Sequence, residues 1–229
     1  MKKIVFIYML LLTIAVTAQT TITNNLVDFS ILKVYNGIEV ELIKSTEQKI
    51  EITGNKSEKV KVKSVNNTLK LSLPFSLNPE NNSAEGEVLI KLYYNTNIDL
   101  IDANEGATIT AKLIEQDKLE VNAQERAFIN LVVKTTNLEV RASSGGIIKL
   151  TGTTDNQKVD LDLYGVYNGF NLEAVKNSFV FAGSGSKAEI LAGESLEAKV
   201  SFGGSIFYKG NPEVLNDKKV VGGIIQKRN

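Results

Sequence analysis

The phrase Leu119-Glu-Val121-Asn-Ala123 decides the fold of this chain, because related phrases return about every 19–20 residues. The later copies are Leu138-Glu-Val140-Arg-Ala142, Val159-Asp-Leu161-Asp-Leu163, Phe179-Val-Phe181 and Leu196-Glu-Ala198-Lys-Val200. Apolar and polar residues alternate along the phrase, and this period of two is typical of a strand with one buried face. A unit this short cannot bury its apolar face alone, so the copies are predicted to stack as a solenoid.

A second alternating piece follows each copy after a short turn. These pieces are Ala127-x-Ile129-x-Leu131, Ile148-x-Leu150, Phe170-x-Leu172, Ala188-x-Ile190 and Ile206-x-Tyr208. Each repeat therefore supplies two strands and two bends. Glycines at the bends, such as Gly165, suit positions that need positive φ or a close approach of two backbones. The pattern predicts an all-β solenoid.

The N-terminal part shows the same alternation with less regular spacing. Residues 29–94 contain several such pieces separated by small polar turn residues, among them Asn36-Gly37 and Asn66-Asn67. The prolines Pro74 and Pro79 fall in a longer loop that ends near Gly86, which we interpret as an insertion between strands. A single solenoid domain over residues 19–229 is the simplest prediction.

The start of the chain has the form of a secretory signal. Met1-Lys2-Lys3 is basic, and the apolar run from Ile4 to Val16 is too short to span a bilayer. Small Ala18 marks a cleavage point, so residues 1–18 are predicted to be a signal peptide. We expect the mature chain to be exported to the periplasm, the outer surface or the medium, without membrane insertion after cleavage.

Composition excludes several kinds of function. The chain has no cysteine, histidine or tryptophan, and its two methionines, Met1 and Met9, lie in the signal. The mature protein therefore lacks soft metal ligands and the commonest general base, so we expect no metal and no cofactor. Loss of Lys2 and Lys3 leaves 24 basic against 26 acidic residues, a formal charge of −2. This charge gives no electrostatic reason to bind nucleic acid.

Four stretches together resemble a known family. They are Val34-Tyr-Asn-Gly37-Ile38-Glu-Val40, Thr68-Leu-Lys-Leu-Ser-Leu73, Ala182-Gly-Ser-Gly-Ser186 and the closing Val200-Ser-Phe-Gly-Gly204-Ser-Ile-Phe-Tyr208-Lys-Gly210-Asn-Pro212. In this order they look like the putative auto-transporter adhesin, head GIN domain family, a domain of unknown function in secreted Bacteroidetes proteins. The similar region covers residues 29–212. The resemblance implies a right-handed, single-stranded parallel β-helix, similar to pectin-lyase solenoids without their active site, and an adhesin-like role in the cell envelope.

The chain departs from the pattern of that family at two corners. Gln124-Glu125-Arg126 and Tyr164-Gly165-Val166 stand where Ser-Gly-Ser is usual. Wider bends are expected at these two places.

Carboxylates and arginines offer a catalytic alternative. Asp160 and Asp162 lie two apart on a predicted strand and so share a face, as residues that bind calcium or cleave polysaccharides would. A lyase on this fold would also need a base, and Arg141 is the candidate. The simpler interpretation is that all three are solvated charges on an outward face, because a calcium ion prefers 6–8 oxygens and a pair of strand carboxylates supplies few.

Aromatic residues give the candidate binding site. Tyr164, Tyr167 and Phe170 crowd one corner together with Asn168. Exposed rings stack on sugars while amides bond their hydroxyls. Phe170 fits the inward alternation and is assigned to the core, which leaves Tyr164, Tyr167 and Asn168 as the predicted binding residues.

These observations favour a secreted, non-enzymatic binding module of adhesion type that holds a glycan or another cell-surface component. Two alternatives stay open, a polysaccharide lyase or hydrolase on a β-helix scaffold and a structural spacer. Turnover of a polysaccharide would select the enzyme, and saturable binding without turnover the adhesin. The spacer would show neither.

Overall fold

The computed structural model of the protein describes residues 21–229. The predicted signal peptide lies outside these residues. Two short 3-10 turns occur, at Ser57–Lys59 and Pro79–Asn82. The seventeen strands are β1 (Ile22–Asn25), β2 (Ile31–Val34), β3 (Glu39–Lys44), β4 (Lys49–Thr53), β5 (Lys61–Val65), β6 (Thr68–Ser72), β7 (Leu89–Tyr94), β8 (Leu100–Ala103), β9 (Thr108–Ala123), β10 (Phe128–Ala142), β11 (Ile147–Leu161), β12 (Val166–Ala182), β13 (Lys187–Ala192), β14 (Ser195–Ser201), β15 (Ser205–Lys209), β16 (Val214–Val220) and β17 (Ile224–Lys227).

The strands follow two faces of the solenoid, here called sheet A and sheet B. Sheet A contains β5, β6, β2, β8, the C-terminal ends of β9 to β12, β14 and β16. Sheet B contains β1, β4, β7, β3, the N-terminal ends of β9 to β12, β13, β15 and β17. Each of the long strands β9 to β12 therefore begins in sheet B and ends in sheet A of the next rung. Buried residues from Phe29 to Tyr208 form one core cluster.

Parallel pairing repeats the same residue environment from rung to rung. Val121 pairs with Val140, and Val140 pairs with Val159; all three are buried. The outward neighbours Glu120 and Glu139 pair in the same way. The predicted all-β parallel solenoid is confirmed, with about seven turns. Its handedness stays a prediction.

Glycine at the corners allows a close approach of successive rungs. A Cβ added at Gly165 would lie 2.1 Å from the carbonyl oxygen of Ala142 in the preceding rung. This distance is far below contact, so a side chain here would push the rungs apart. The predicted role of the corner glycine is confirmed at this position.

The first coils do not stack in chain order. Strand β2 pairs in parallel with both β6 and β8, and β3 pairs with both β7 and β9. The first coil therefore lies between the second and the third. Antiparallel strands β1, β4 and β5 cover this end of the stack. They satisfy edge hydrogen-bonding groups that would otherwise face solvent or another chain.

The structure corrects the phase of two sequence copies. Val159 pairs with Val140, so Gln157 takes the inward position that Leu138 holds in the preceding rung. Leu163 consequently falls in a turn and is exposed. In the next copy Val180 points inward, while Phe179 lies on the outer face.

Candidate binding surface

Eight two-residue turns stack along one edge of the solenoid, here called the turn edge. In every turn both residues have positive φ, the pattern of a type I′ turn. Amides join successive turns: the Tyr164 amide donates to the Ser184 carbonyl over 3.1 Å, and the Gly145 amide donates to the Leu163 carbonyl over 3.0 Å. The turns are Asn36-Gly37, Glu105-Gly106, Glu125-Arg126, Ser144-Gly145, Leu163-Tyr164, Ser184-Gly185, Phe202-Gly203 and Val221-Gly222.

The two corners that lack the usual glycine pattern keep this geometry. The φ values of Glu125 and Arg126 are 52° and 62°, and those of Leu163 and Tyr164 are 46° and 63°. These values match the turns that contain glycine. The expectation of wider bends at both corners was therefore wrong, because the ladder between turns fixes the backbone whatever the side chain.

Bulky side chains occupy strained positions on this edge. The second turn residue is glycine in six of the eight turns, and the exceptions are Arg126 and Tyr164. At the first turn residue, Leu163, Phe202 and Val221 stand where other turns have asparagine, serine or glutamate. A non-glycine residue in left-handed backbone costs about 1–2 kcal/mol. The fold alone would favour smaller residues here.

Three of these side chains form an apolar patch, here called the turn strip: Leu163, Tyr164 and Phe202. Tyr164 is 72% exposed and Phe202 is 66% exposed. The Tyr164 ring extends toward the next rung, where a Cβ added at Gly185 would lie 2.8 Å from its Cε1 atom. The ring thus rests on a glycine and presents its other side to solvent. Exposed Phe202 lies two rungs after Tyr164, in the turn that follows Ser184-Gly185, so the strip is an apolar surface about 10 Å long at ~4.8 Å per rung.

The structure separates the three predicted binding residues. Tyr164 lies on the turn edge and is exposed, as predicted. Asn168 lies on the outer face of sheet B, about 13 Å further along at ~3.3 Å per residue. Tyr167 is fully buried. The prediction that Tyr167 is an exposed binding residue was therefore wrong.

An irregularity in β12 explains why Tyr167 points inward and Phe170 points outward. Lys149 pairs with Asn168, but Thr151 pairs with Asn171, so β12 has one extra residue here. The extra residue resets the alternation, and Phe170 lies on the outer face with the Lys209 ammonium 5.0 Å from its ring centroid. The assignment of Phe170 to the core was wrong for this reason.

Tyr167 instead anchors a buried polar network that the sequence did not reveal. Its hydroxyl donates to Gln157 Oε1 over 3.2 Å, and Gln157 Nε2 donates to Ser178 Oγ over 3.0 Å. Gly169 and Ala188 leave room for the ring. Burial raises the pKa of the Tyr167 hydroxyl, which stays protonated and can donate. The signal in the sequence was a pair of polar residues, Gln157 and Ser178, in successive rungs at an inward position that is leucine in the neighbouring rungs.

A groove of about 860 Å³ flanks the N-terminal half of the turn edge. One wall is the loop between β6 and β7, and the other is formed by the turns from Asn36 to Ser144. Phe75 lines the groove and is strongly exposed. The charged lining residues are Lys70, Glu85, Glu105, Glu125 and Arg126.

The loop wall of this groove is held in place by hydrogen bonds. Asn36 Oδ1 accepts from the Leu73 amide over 2.9 Å, and the Asn36 carbonyl accepts from the Ala84 amide over 2.7 Å. Lys56 Nζ donates to the carbonyls of Glu80 and Ser83. The groove is thus preformed, and it ends at Ser144, one rung before Tyr164.

The residues of the catalytic alternative are engaged in surface contacts. The Arg141 guanidinium donates to Glu120 Oε1 over 2.7 Å and to Glu139 Oε1 over 2.6 Å. The hydrogen bond to Glu139 raises the pKa of Arg141, which is the opposite of what a catalytic base needs. Asp162 Oδ1 accepts from the Leu163 amide, and Asp160 lies outward beside Arg141.

The carboxylates and the secondary structure of residues 21–229 bear on two other kinds of site. Within these residues no group of three or more Asp and Glu side chains is placed to hold a metal ion. The same residues contain no helix with the length and apolar character needed to cross a membrane.

Solved structures share this fold. A putative adhesin from Bacteroides fragilis NCTC 9343 is 21% identical, with a TM-score of 0.80 over 93% of this chain and 98% of that one. A putative adhesin from Parabacteroides merdae ATCC 43184 is 19% identical, with a TM-score of 0.71 over 93% and 97%. A putative lipid binding protein from Parabacteroides distasonis ATCC 8503 is 16% identical, with a TM-score of 0.68 over 93% and 98%. No curated protein matches the chain.

A family model matches most of the sequence. It is the model of the putative auto-transporter adhesin, head GIN domain, and it covers residues 28–212. The match includes the turn edge from Asn36 to Phe202 and all of the groove. This chain therefore belongs to the putative auto-transporter adhesin, head GIN domain family.

Proposed function

We propose that this protein is an exported, non-enzymatic binding module of adhesion type that holds a cell-surface glycan on the turn strip. Membership of an adhesin-like family supports a role at a cell surface and a binding function. The observation that carries the proposal is Tyr164 itself. It is a large, exposed ring at a left-handed position where six of eight equivalent residues are glycine.

A tyrosine at this left-handed position destabilises the fold, and its exposed ring is placed to contact a ligand. Strained backbone at an exposed residue often marks a ligand-binding site, because selection for stability alone would remove it. The Tyr164 hydroxyl makes no hydrogen bond within residues 21–229, and its ring rests on a glycine rather than in a core. The ladder between turns holds the Tyr164 backbone in place, but the Tyr164 side chain adds no hydrogen bond or core packing that would offset the strain.

The surroundings of Tyr164 suit a sugar. An exposed aromatic ring offers an apolar face for stacking at little cost in rotamer entropy. Ser144 and Ser184 occupy the first turn positions on either side of Leu163, and Asp162 directly precedes it. These hydroxyl and carboxylate groups can orient the hydroxyls of a ring stacked on Tyr164 or Phe202.

The variant Tyr164→Gly tests this assignment. After a ligand is found on a glycan array, we expect its affinity to fall by about tenfold or more, which corresponds to ~1.4 kcal/mol. The thermal midpoint should stay the same or rise, because glycine relieves the left-handed strain. Isothermal titration calorimetry and thermal melting provide the two measurements.

Arg126→Gly is the matched control, because it makes the same backbone change at the equivalent turn position two rungs away. Its affinity for the glycan should stay within about twofold of the wild type. Unchanged affinity in a well-folded Tyr164→Gly variant would reject the turn strip as the site. Sustained release of sugars from the bound glycan would instead favour the enzyme.

Export is tested separately at the start of the chain. Mass spectrometry of the native secreted protein should find Gln19 at the N-terminus, because cleavage is predicted after Ala18. Folded protein from the cell envelope that retains Met1 would contradict the predicted export by a cleaved signal.

A further inference from the structure

The last rung of the solenoid presents two strand edges. Strand β16 pairs with β14 on one side, and β17 pairs with β15. Among residues 21–229 no strand pairs with their other edges. Strands β1, β4 and β5 cover the opposite end of the stack, so the two ends of the solenoid differ. A row of free backbone donors and acceptors is a template for pairing with another strand.

The inward side of this last rung carries opposite charges. Asp217 pairs in register with Ala198, and Lys219 pairs with Val200. Ala198 and Val200 are buried, so their register places Asp217 and Lys219 over the end of the core. The five preceding rungs have apolar residues at both of these positions. Neither charge forms an ion pair within residues 21–229.

From these observations we propose that the last rung is a docking surface for a second copy of this chain. The two copies are related by a two-fold axis through Lys218, with β16 antiparallel to β16 of the second copy. Asp217 then faces Lys219 of the second copy, and symmetry makes this contact twice. The same axis, normal to the sheets, places β17 beside its counterpart.

Charge complementarity selects this register among its neighbours. Opposite residues in an antiparallel pair share a face, so the inward residues must oppose one another. A two-fold axis through Asp217 would oppose two aspartates, and an axis through Lys219 would oppose two lysines. Like charges directly opposite are destabilising. The axis through Lys218 opposes each inward charge to its complement. It also places Lys218 opposite its own copy, but Lys218 pairs in register with exposed Lys199, so this like pair lies on the solvated outer face.

Exposed apolar residues agree with the same register. Leu215 is 43% exposed although it pairs in register with buried Leu196. In the proposed pair Leu215 faces Val221 of the second copy, one residue beyond the end of the strand. Val221 is 68% exposed and has a φ of 54°, a rare conformation for a β-branched residue. Both side chains would be covered by the second copy.

Charge reversal provides the test, measured by sedimentation equilibrium over a concentration series. The wild-type chain should form dimers reversibly. Asp217→Lys alone and Lys219→Asp alone should each weaken dimerisation by at least about tenfold, because two attractive contacts become two repulsive ones. An equimolar mixture of the two variants should form heterodimers. The double variant Asp217→Lys with Lys219→Asp should dimerise like the wild type.

A matched control for Lys219→Asp is Lys112→Asp, which changes the net charge by the same amount at an exposed residue of β9 and should leave dimerisation unchanged. Thermal melting checks that each variant folds. A wild-type chain that stays monomeric throughout the series would overturn the proposal. Asp217 and Lys219 would then be charges that prevent the exposed strand edge from pairing with another chain. Dimers insensitive to both single reversals would also overturn it. The proposal does not depend on the turn strip.

Discussion

Replacing Tyr167 by alanine is expected to lower the free energy of unfolding by about 3–5 kcal/mol, because the change leaves a cavity the size of a phenol ring in the core. Tyr167 has no exposed surface, and its ring fills the space that Gly169 and Ala188 leave between rungs. The loss also removes the donor to Gln157 Oε1. Urea unfolding followed by circular dichroism measures the change.

Tyr167→Phe separates the hydroxyl from the ring. The phenylalanine variant should lose about 1–2 kcal/mol, because Gln157 Oε1 is left buried without its donor. Glycan affinity of both folded variants should stay at the wild-type value, since Tyr167 lies inside the solenoid. A small effect of Tyr167→Ala on the free energy of unfolding, together with loss of glycan binding, would contradict the buried position of Tyr167. It would support the prediction that Tyr167 is an exposed binding residue.

The variant Leu161→Asp should have a comparable effect on the fold. Leu161 is fully buried and pairs in register with Ala142 and Ala182 in the rungs on either side. An aspartate here loses apolar burial and places a carboxylate between stacked rungs without a partner. We expect the free energy of unfolding to fall by about 4 kcal/mol or more.

Asp160→Asn is the matched control for Leu161→Asp. Asp160 is the preceding residue on the same strand and points outward. Its substitution should change the free energy of unfolding by less than about 0.5 kcal/mol. Equal effects of the two variants in urea unfolding would contradict the inward and outward assignment of this strand.

Glu139 is an outward residue whose contacts could not be predicted from the sequence, so its substitution is not a neutral control. The alternation predicts an outward carboxylate, which is correct. It does not show that Glu139 accepts from Lys158 and from Arg141, or that these bonds, the one from Lys158 foremost, lower the pKa of Glu139. Glu139→Lys would place a third cation beside two others. Such ladders form between rungs, and the sequence of one rung does not show them.

The candidate site was only partly predictable for a similar reason. The sequence identified Tyr164 as an exposed aromatic residue near a corner. It did not show that Phe202 and Leu163 share that edge, because their alignment depends on which turn residues stack. The left-handed backbone of these residues, on which the proposed function rests, is fixed by hydrogen bonds between turns 18–21 residues apart.

The sequence by itself determined the solenoid and the faces of its regular strands. Parallel stacking repeats one environment in every rung, so the phrase from Leu119 to Ala123 had to recur with its apolar residues on one side. Glycine at tight corners was predictable for the same reason. Local alternation and a regular period are enough for this conclusion.

Only the tertiary structure decided which residues around Tyr167 point inward and in which order the first coils stack. An extra residue in β12 reverses the alternation, and the sequence does not mark where the strand absorbs it. Likewise, β2 lies between β6 and β8 because of pairings between residues 37 and 69 positions apart. Alternation is a local property of a strand, whereas register and stacking order depend on hydrogen bonds between distant segments, which only the folded chain brings together.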